Sequence, residues 1–158
     1  MLSLQHIGVI RTPFAEPKGT PIQPTAAQDV EGVVEVFSAY AEGLKDIEGF
    51  SHLILLYQLH LAKPADLLVK PFLGNELHGV FATRSPARPN PLGLSVVRLI
   101  RREGHLLHIR DVDIVAGTPL LDIKPYVAEF DARQQVTSGW FEQNIHKLKS
   151  TRDDGRFT

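Results

Sequence analysis

The chain has 158 residues, 43% of them hydrophobic and 22% charged, with a formal net charge of −1. That is the balance of one globular domain with an ordinary core, not of a disordered segment. It contains no cysteine, which excludes a disulfide scaffold and a cysteine-ligated zinc site.

In chain order the pattern is mainly strand. The start, "MLSLQHIGVI", has neither a charged segment nor a long apolar run, so no signal peptide is expected. "HIGVIRT" (6–12) alternates around Ile7, Val9 and Arg11 and is read as the first strand. Residues 12–30 are rich in Pro, Gly, Thr and Gln and are read as a long loop, which in a compact domain points to function. "GVVEVF" (32–37) is a short β-branched strand, and "AYAEGLKDIEGF" (39–50) holds a helical turn. "SHLILLYQLH" (51–60) is almost wholly apolar, as a strand buried on both faces is; its uncharged run is too short to span a membrane.

The series continues through "GVFATR" (79–84), "LSVVRLIRR" (94–102), "HLLHIRDVDIV" (105–115) and "PLLDIKPY" (119–126), with a hairpin turn at Glu103-Gly104. Many short strands with Gly and Pro between them predict an all-β fold, a single β-barrel with long Pro-rich loops. One helix is predicted near the end: Ser138 caps "GWFEQNIHKLK", with Phe141, Ile145 and Leu148 on one face. The barrel domain is assigned to residues 1–149, and 150–158 to a polar tail expected to fray. A cytoplasmic location with no membrane partner is the expectation.

Charge is unevenly spread. Residues 1–80 carry five Lys/Arg against nine Asp/Glu, and residues 81–158 carry twelve against nine. Arg84, Arg88, Arg98, Arg101, Arg102 and Arg110 are accompanied only by Glu103 between them. Such a local basic patch suits phosphate without an extreme overall charge; a solvated face is the alternative.

The sequence has no G-x-G-x-x-G, Walker loop, G-x-S-x-G or H-E-x-x-H, so a Rossmann cofactor site and the familiar hydrolase centres find no support. His105 and His108 are three apart in a strand and point to opposite faces, so no metal is expected. "FATRSPARPNPLGLSVVRLI" (81–100) carries the most information. Pro86, Pro89 and Pro91 each fix φ and remove a donor, and Ser85, Arg88 and Asn90 before them are pushed toward extended backbone. The segment is a stiff loop that holds Arg84 and Arg88 with little entropy left to lose on binding. Their planar forks suit carboxylate and phosphate. With "GTPIQP" (19–24) and "GTPLLDIKPY" (117–126) it makes three loops able to build a ligand site at one barrel end.

These loops, with "IGVIRTPF" (7–14) and "EGFSHLILLYQLH" (48–60), resemble the TrmO/TsaA family of β-barrel tRNA methyltransferases over roughly residues 5–127. The resemblance implies a β-barrel that binds S-adenosyl-L-methionine (S-adenosylmethionine), commonly as a homodimer. It implies methylation of N6 of N6-threonylcarbamoyladenosine beside the anticodon of a tRNA. Carried over residue by residue, the cofactor site falls on Pro21, Ile22, Gln23, His60, Leu61, Arg84, Leu94, Gly117, Thr118, Pro119 and Leu120. Many members have Arg where this chain has Ile22, so apolar contact replaces one cationic contact. Longer members continue into a C-terminal domain after the barrel.

Methyl transfer to a urea-like nitrogen requires alignment and a group that accepts its proton. Asp122 is the sequence candidate, with Lys124 and Tyr126 as positioners. Arg88 and Asn90 are assigned to substrate, and Arg101 and Arg102 to the tRNA backbone. Two other readings share the cofactor site: a methyltransferase acting on another small molecule or modified nucleoside, and a non-catalytic S-adenosylmethionine sensor.

Overall fold

A computed structural model describes residues 1–158. Its centre is a closed antiparallel barrel of six strands. In chain order these are β1 (Gly8–Arg11), β2 (Glu31–Val36) and β3 (His52–Gln58); then, after a small two-stranded sheet of β4 (Leu68–Val69) and β5 (His78–Gly79), β6 (Leu92–Glu103), β7 (Leu106–Arg110) and β8 (Thr118–Pro125). Around the barrel the order is β1-β2-β7-β6-β3-β8, so β8 closes the wall between β1 and β3. Closure pairs every strand on both sides and leaves no edge to protect.

Alternation drives this arrangement. Along β3, Leu53, Leu55 and Tyr57 point inward and are buried, as are Ile10, Val34, Val36, Val97, Leu107, Ile109 and Leu120 from the other strands. The run 51–60 is therefore not buried equally on both faces; Ile54 and Leu56 are only half-covered. The predicted hairpin is present: Gly104, at φ +61, turns β6 into β7, a backbone region that glycine enters without steric cost. β8 carries a bulge at Leu121, because Leu56 faces Asp122 while Tyr57 faces Leu120. One extra residue swaps the faces beyond it. Ile123 thus packs on the core, and Asp122 and Lys124 turn outward.

Further expectations need correction. Residues 79–84 are not a strand: β5 ends at Gly79 and a 3₁₀ turn, Val80–Ala82, follows. The Thr83 hydroxyl donates to the Val80 carbonyl (2.8 Å) and accepts from the Ser85 amide (3.2 Å), capturing backbone groups that a strand would need. The segment 138–148 is not an α-helix but two 3₁₀ turns, Gly139–Gln143 and Ile145–Lys147. Gly139 opens it at φ +53, and the Ser138 side chain makes no cap; its amide donates to Glu142 instead (2.8 Å). The single α-helical turn, α1, is Ala128–Asp131.

The last nine residues are docked, not loose. The Gly19 amide donates to the Asp153 carbonyl (2.6 Å), the Asp153 amide to Thr20 (2.9 Å), and the Lys63 amide to Phe157 (2.8 Å). Phe157 is buried in a second small core with Val69, Val80 and Ala87. No helix is long and apolar enough to cross a membrane.

Candidate functional site

A cleft of about 1190 Å³ opens at one end of the barrel. Its walls come from the loop at 17–28, the end of β3 with the residues after it, the Pro-rich loop at 83–88, the first half of β6, and the segment 111–118. The C-terminal segment closes one side through Trp140, Phe141, Ile145, Leu148 and Phe157.

The Pro-rich loop is braced by its own polar atoms as well as its prolines. Ser85 Oγ accepts from the Ala87 amide (3.3 Å), and the Ala87 carbonyl accepts from Asp66 (3.2 Å). Arg88 Nη1 donates to the carbonyls of Thr83 (3.0 Å) and Ser85 (3.4 Å). Arg88 thus ties the loop with one nitrogen, and its side chain still lines the cleft. Arg84 is exposed and donates to Gln23 Oε1 (2.9 Å), joining the first and second loops. Trp140 Nε1 donates to the Ala82 carbonyl (2.8 Å) and stacks on His78, pinning the C-terminal segment to the same loop.

Most of the cofactor residues carried over from the family come together here. Pro21, Ile22, Gln23, His60, Leu61, Arg84, Leu94 and Thr118 all line the cleft. Gly117, Pro119 and Leu120 do not: Gly117 forms the turn into β8 at φ +82, Pro119 pairs with Val9, and Leu120 is fully enclosed in the core. Asn90 lies outside the cleft, as do Asp122, Lys124 and Tyr126. Asp122 instead pairs with Lys124 (2.8 Å) on the exposed outer wall, a bond that raises the Lys124 pKa. Arg101 and Arg102 sit far along β6. Arg101 pairs with Glu103 (2.7 Å), while Arg102 donates to the carbonyls of Gly104 (2.7 Å) and Leu44 (3.1 Å).

The floor of the cleft holds a polar chain that the sequence reading passed over. Ser95 Oγ donates to Asp113 Oδ1 at 2.7 Å. A hydroxyl has one proton, so Tyr57 must be the donor in its 2.8 Å bond to Ser95. Tyr57 reaches Ser95 by crossing Gly93, where a Cβ would lie 2.2 Å from the tyrosine ring; only glycine leaves that room. Burial pushes the Asp113 carboxyl up to about 7, against the pull of the Ser95 bond and the Arg84 charge. Burial, then the Asp113 charge, also raises the Tyr57 hydroxyl. Two residues earlier, Asp111 lies well below the usual carboxylate range, because Arg98 donates to it (Nε to Oδ2, 2.6 Å). Two carboxylates pushed apart by their surroundings mark a site able to hold one charge fixed and exchange the other's proton.

The sequence model of the tRNA-methyltransferase O N-terminal domain matches residues 9–132. The chain belongs to the TrmO family. A relative from Pyrococcus abyssi, named a probable S-adenosyl-L-methionine-binding protein, is 63% identical over 157 residues, covering 99% of this chain and 85% of the relative. The human tRNA (adenine(37)-N6)-methyltransferase is 32% identical over 157 residues, covering 95% of this chain and 36% of that protein. The crystal structure of TrmO from Pseudomonas aeruginosa superposes with a TM-score of 0.75 at 39% identity, covering 89% of this chain and 61% of that one. The missing Gly-rich turn accords with this architecture, in which the cleft is walled by loops and strand ends of a barrel and not by a strand-to-helix crossover.

Proposed function

We propose that this TrmO-family chain is an S-adenosylmethionine-dependent tRNA methyltransferase. The substrate in this reading is N6 of N6-threonylcarbamoyladenosine next to the anticodon. The observation that carries it is the convergence of Pro21–Gln23, His60, Leu61, Arg84, Leu94 and Thr118, from five separate parts of the chain, on one cleft. The name of the human relative supports the reaction type, and that of the Pyrococcus relative supports the cofactor.

The residues present fit such a cofactor. Pro21, Ile22, Leu61 and Leu94 offer apolar surface for an adenine ring, and Arg84 offers a fork for a carboxylate. When bound, the cofactor supplies the electrophilic methyl group. The chain's own part is alignment: the braced loop keeps Arg84 and Arg88 in place before binding, so little order is lost when substrate arrives. The nucleobase is held from the same loop through the free N–H groups of Arg88.

Calorimetry with S-adenosylmethionine and its demethylated product, followed by nucleoside mass spectrometry of tRNA from cells with and without the chain, tests this. Binding of both ligands and one methyl group gained on threonylcarbamoyladenosine are the expected results. Absence of heat with either ligand removes the reading, and binding without any change in tRNA leaves a sensor. A homodimer belongs to the same reading; a light-scattering mass near 17.6 kDa counts against it.

A further inference from the structure

We propose that Asp113 is the proton acceptor of the methyl transfer, with Ser95 and Tyr57 as its positioning residues. This rests on the methyltransferase reading above, and gives the proton a destination that Asp122, on the outer wall, does not offer.

The first argument is geometric. Asp113 Oδ1 is held by Ser95, which is held by Tyr57, and both bonds lie in the barrel's interior wall. Asp113 Oδ2 accepts no hydrogen bond from another residue, and Asp113 is half-buried and lines the cleft. A carboxylate with one oxygen fixed and the other open is oriented to take a proton at Oδ2 without disturbing the bond at Oδ1.

The second argument concerns charge. The charged and titratable groups facing Asp113 are Arg84 from the Pro-rich loop and Tyr57 from β3. Arg84 is exposed and donates to Gln23, and it acts on Asp113 only through its charge, with no hydrogen bond between them. An unpaired carboxylate in a largely enclosed place is unfavourable unless something is gained by it. Here the gain is balanced in the reaction. The acceptor nitrogen forms a bond to the methyl carbon as the carbon–sulfur bond breaks, and Asp113 Oδ2 takes the nitrogen's proton. The sulfonium becomes a neutral thioether and the carboxylate a neutral acid, so both enclosed charges disappear in the same step. A carboxyl that burial moves to near neutrality is matched to that task.

Steady-state kinetics on tRNA, together with binding and an NMR titration, test the assignment. Asp113→Asn is expected to lower kcat by about a hundredfold or more, in the usual range for general-base loss. S-adenosylmethionine affinity by calorimetry should stay within about threefold. Ser95→Ala removes a bond that favours the carboxylate, so the acidic limb of kcat/KM should move to higher pH. Carboxyl carbon shifts of the chain alone should show one aspartate titrating near neutrality, absent in Asp113→Asn and displaced upward in Ser95→Ala. The proposal is overturned if Asp113→Asn keeps more than a tenth of wild-type turnover, or if its cofactor affinity falls as far as its turnover. An unshifted limb in Ser95→Ala overturns the positioning role. An inactive wild-type chain would sink the functional reading itself; an active wild type with an equally active Asp113→Asn sinks only this proposal.

Discussion

Asp113 links stability to pH in the opposite sense from its neighbour Asp111. Its carboxyl stands at about 7 in the folded chain against an ordinary value of 3.8. A pKa raised by folding means stability that is present below about pH 4 and is lost as pH rises through about 7, by up to about 4 kcal/mol. Asp111, lowered by its bond to Arg98, contributes stability above the ordinary range that is lost as pH falls. Asp113→Asn should therefore match wild type in melting temperature at pH 4 and exceed it by about 5 °C or more at pH 8. Equal melting temperatures at both pH values would show that the carboxyl is not penalised. A variant that gains stability while losing turnover is the usual mark of a group kept for chemistry. The sequence did not expose this residue. In "HLLHIRDVDIV" Asp113 stands between the apolar Val112 and Ile114 and reads locally as a solvent-facing position, but β7 ends at Arg110 and Asp111, at φ +67, redirects the backbone. The available signal was Ser95 within the apolar run "GLSVV", a polar residue where the core period required an apolar one.

At the scale of elements, loops whose chemistry is local were the legible part. Pro86, Pro89 and Pro91 specify a stiff loop by themselves, and the structure adds the hydroxyls of Thr83 and Ser85 as further braces. The C-terminal segment was not legible, because its conformation is set by distant partners: Ala82 and His78 hold Trp140, and Val69, Val80 and Ala87 enclose Phe157. Propensity has little authority where tertiary contacts decide. Phe157→Ala removes the anchor of that segment, a change of about 3 kcal/mol if all of it is felt. Hydrogen exchange should then show faster exchange of the Lys63, Gly19 and Asp153 amides, with β3 and β6 amides unaffected. Cofactor affinity should fall about tenfold, since one wall of the cleft opens. Uniform loss of protection across the barrel would mean that the segment belongs to the main core instead.

Over the whole molecule, the basic second half seen in the sequence is largely neutralised in the fold. Arg98 is paired with Asp29 and Asp111, Arg110 with Glu31 (3.0 Å) and Arg102 with Glu48 (3.2 Å). Counting charges along the chain could not reveal this, since Glu31 and Glu48 lie more than fifty residues from their partners. Arg101 differs: its partner Glu103 is two residues away on the exposed hairpin, and such a pair is worth little. Among the arginines of β6 and β7, Arg101 is thus the one most easily lent to a phosphate. Arg101→Ala should reduce the salt dependence of tRNA binding by about one unit of slope, with cofactor affinity unchanged. A slope equal to wild type would remove Arg101 from the RNA surface.

The position of β8 in the wall has a consequence for how the chain comes into being. β1 and β3 are completed by residues 118–125, so both keep an unpaired side until that stretch arrives. During synthesis neither strand can find its final neighbour while the first hundred residues emerge, and hydrogen-bonding groups near the start must wait for ones made much later. Pairings so distant along the chain slow folding, and open strand sides in the interim invite association with other chains. The loops of the cleft, stiff or not by themselves, are brought together into one set of walls only once the ring shuts. Closure of the barrel and assembly of the cleft are therefore both late events, the first once β8 has emerged and the second once the segment to Phe157 has followed it.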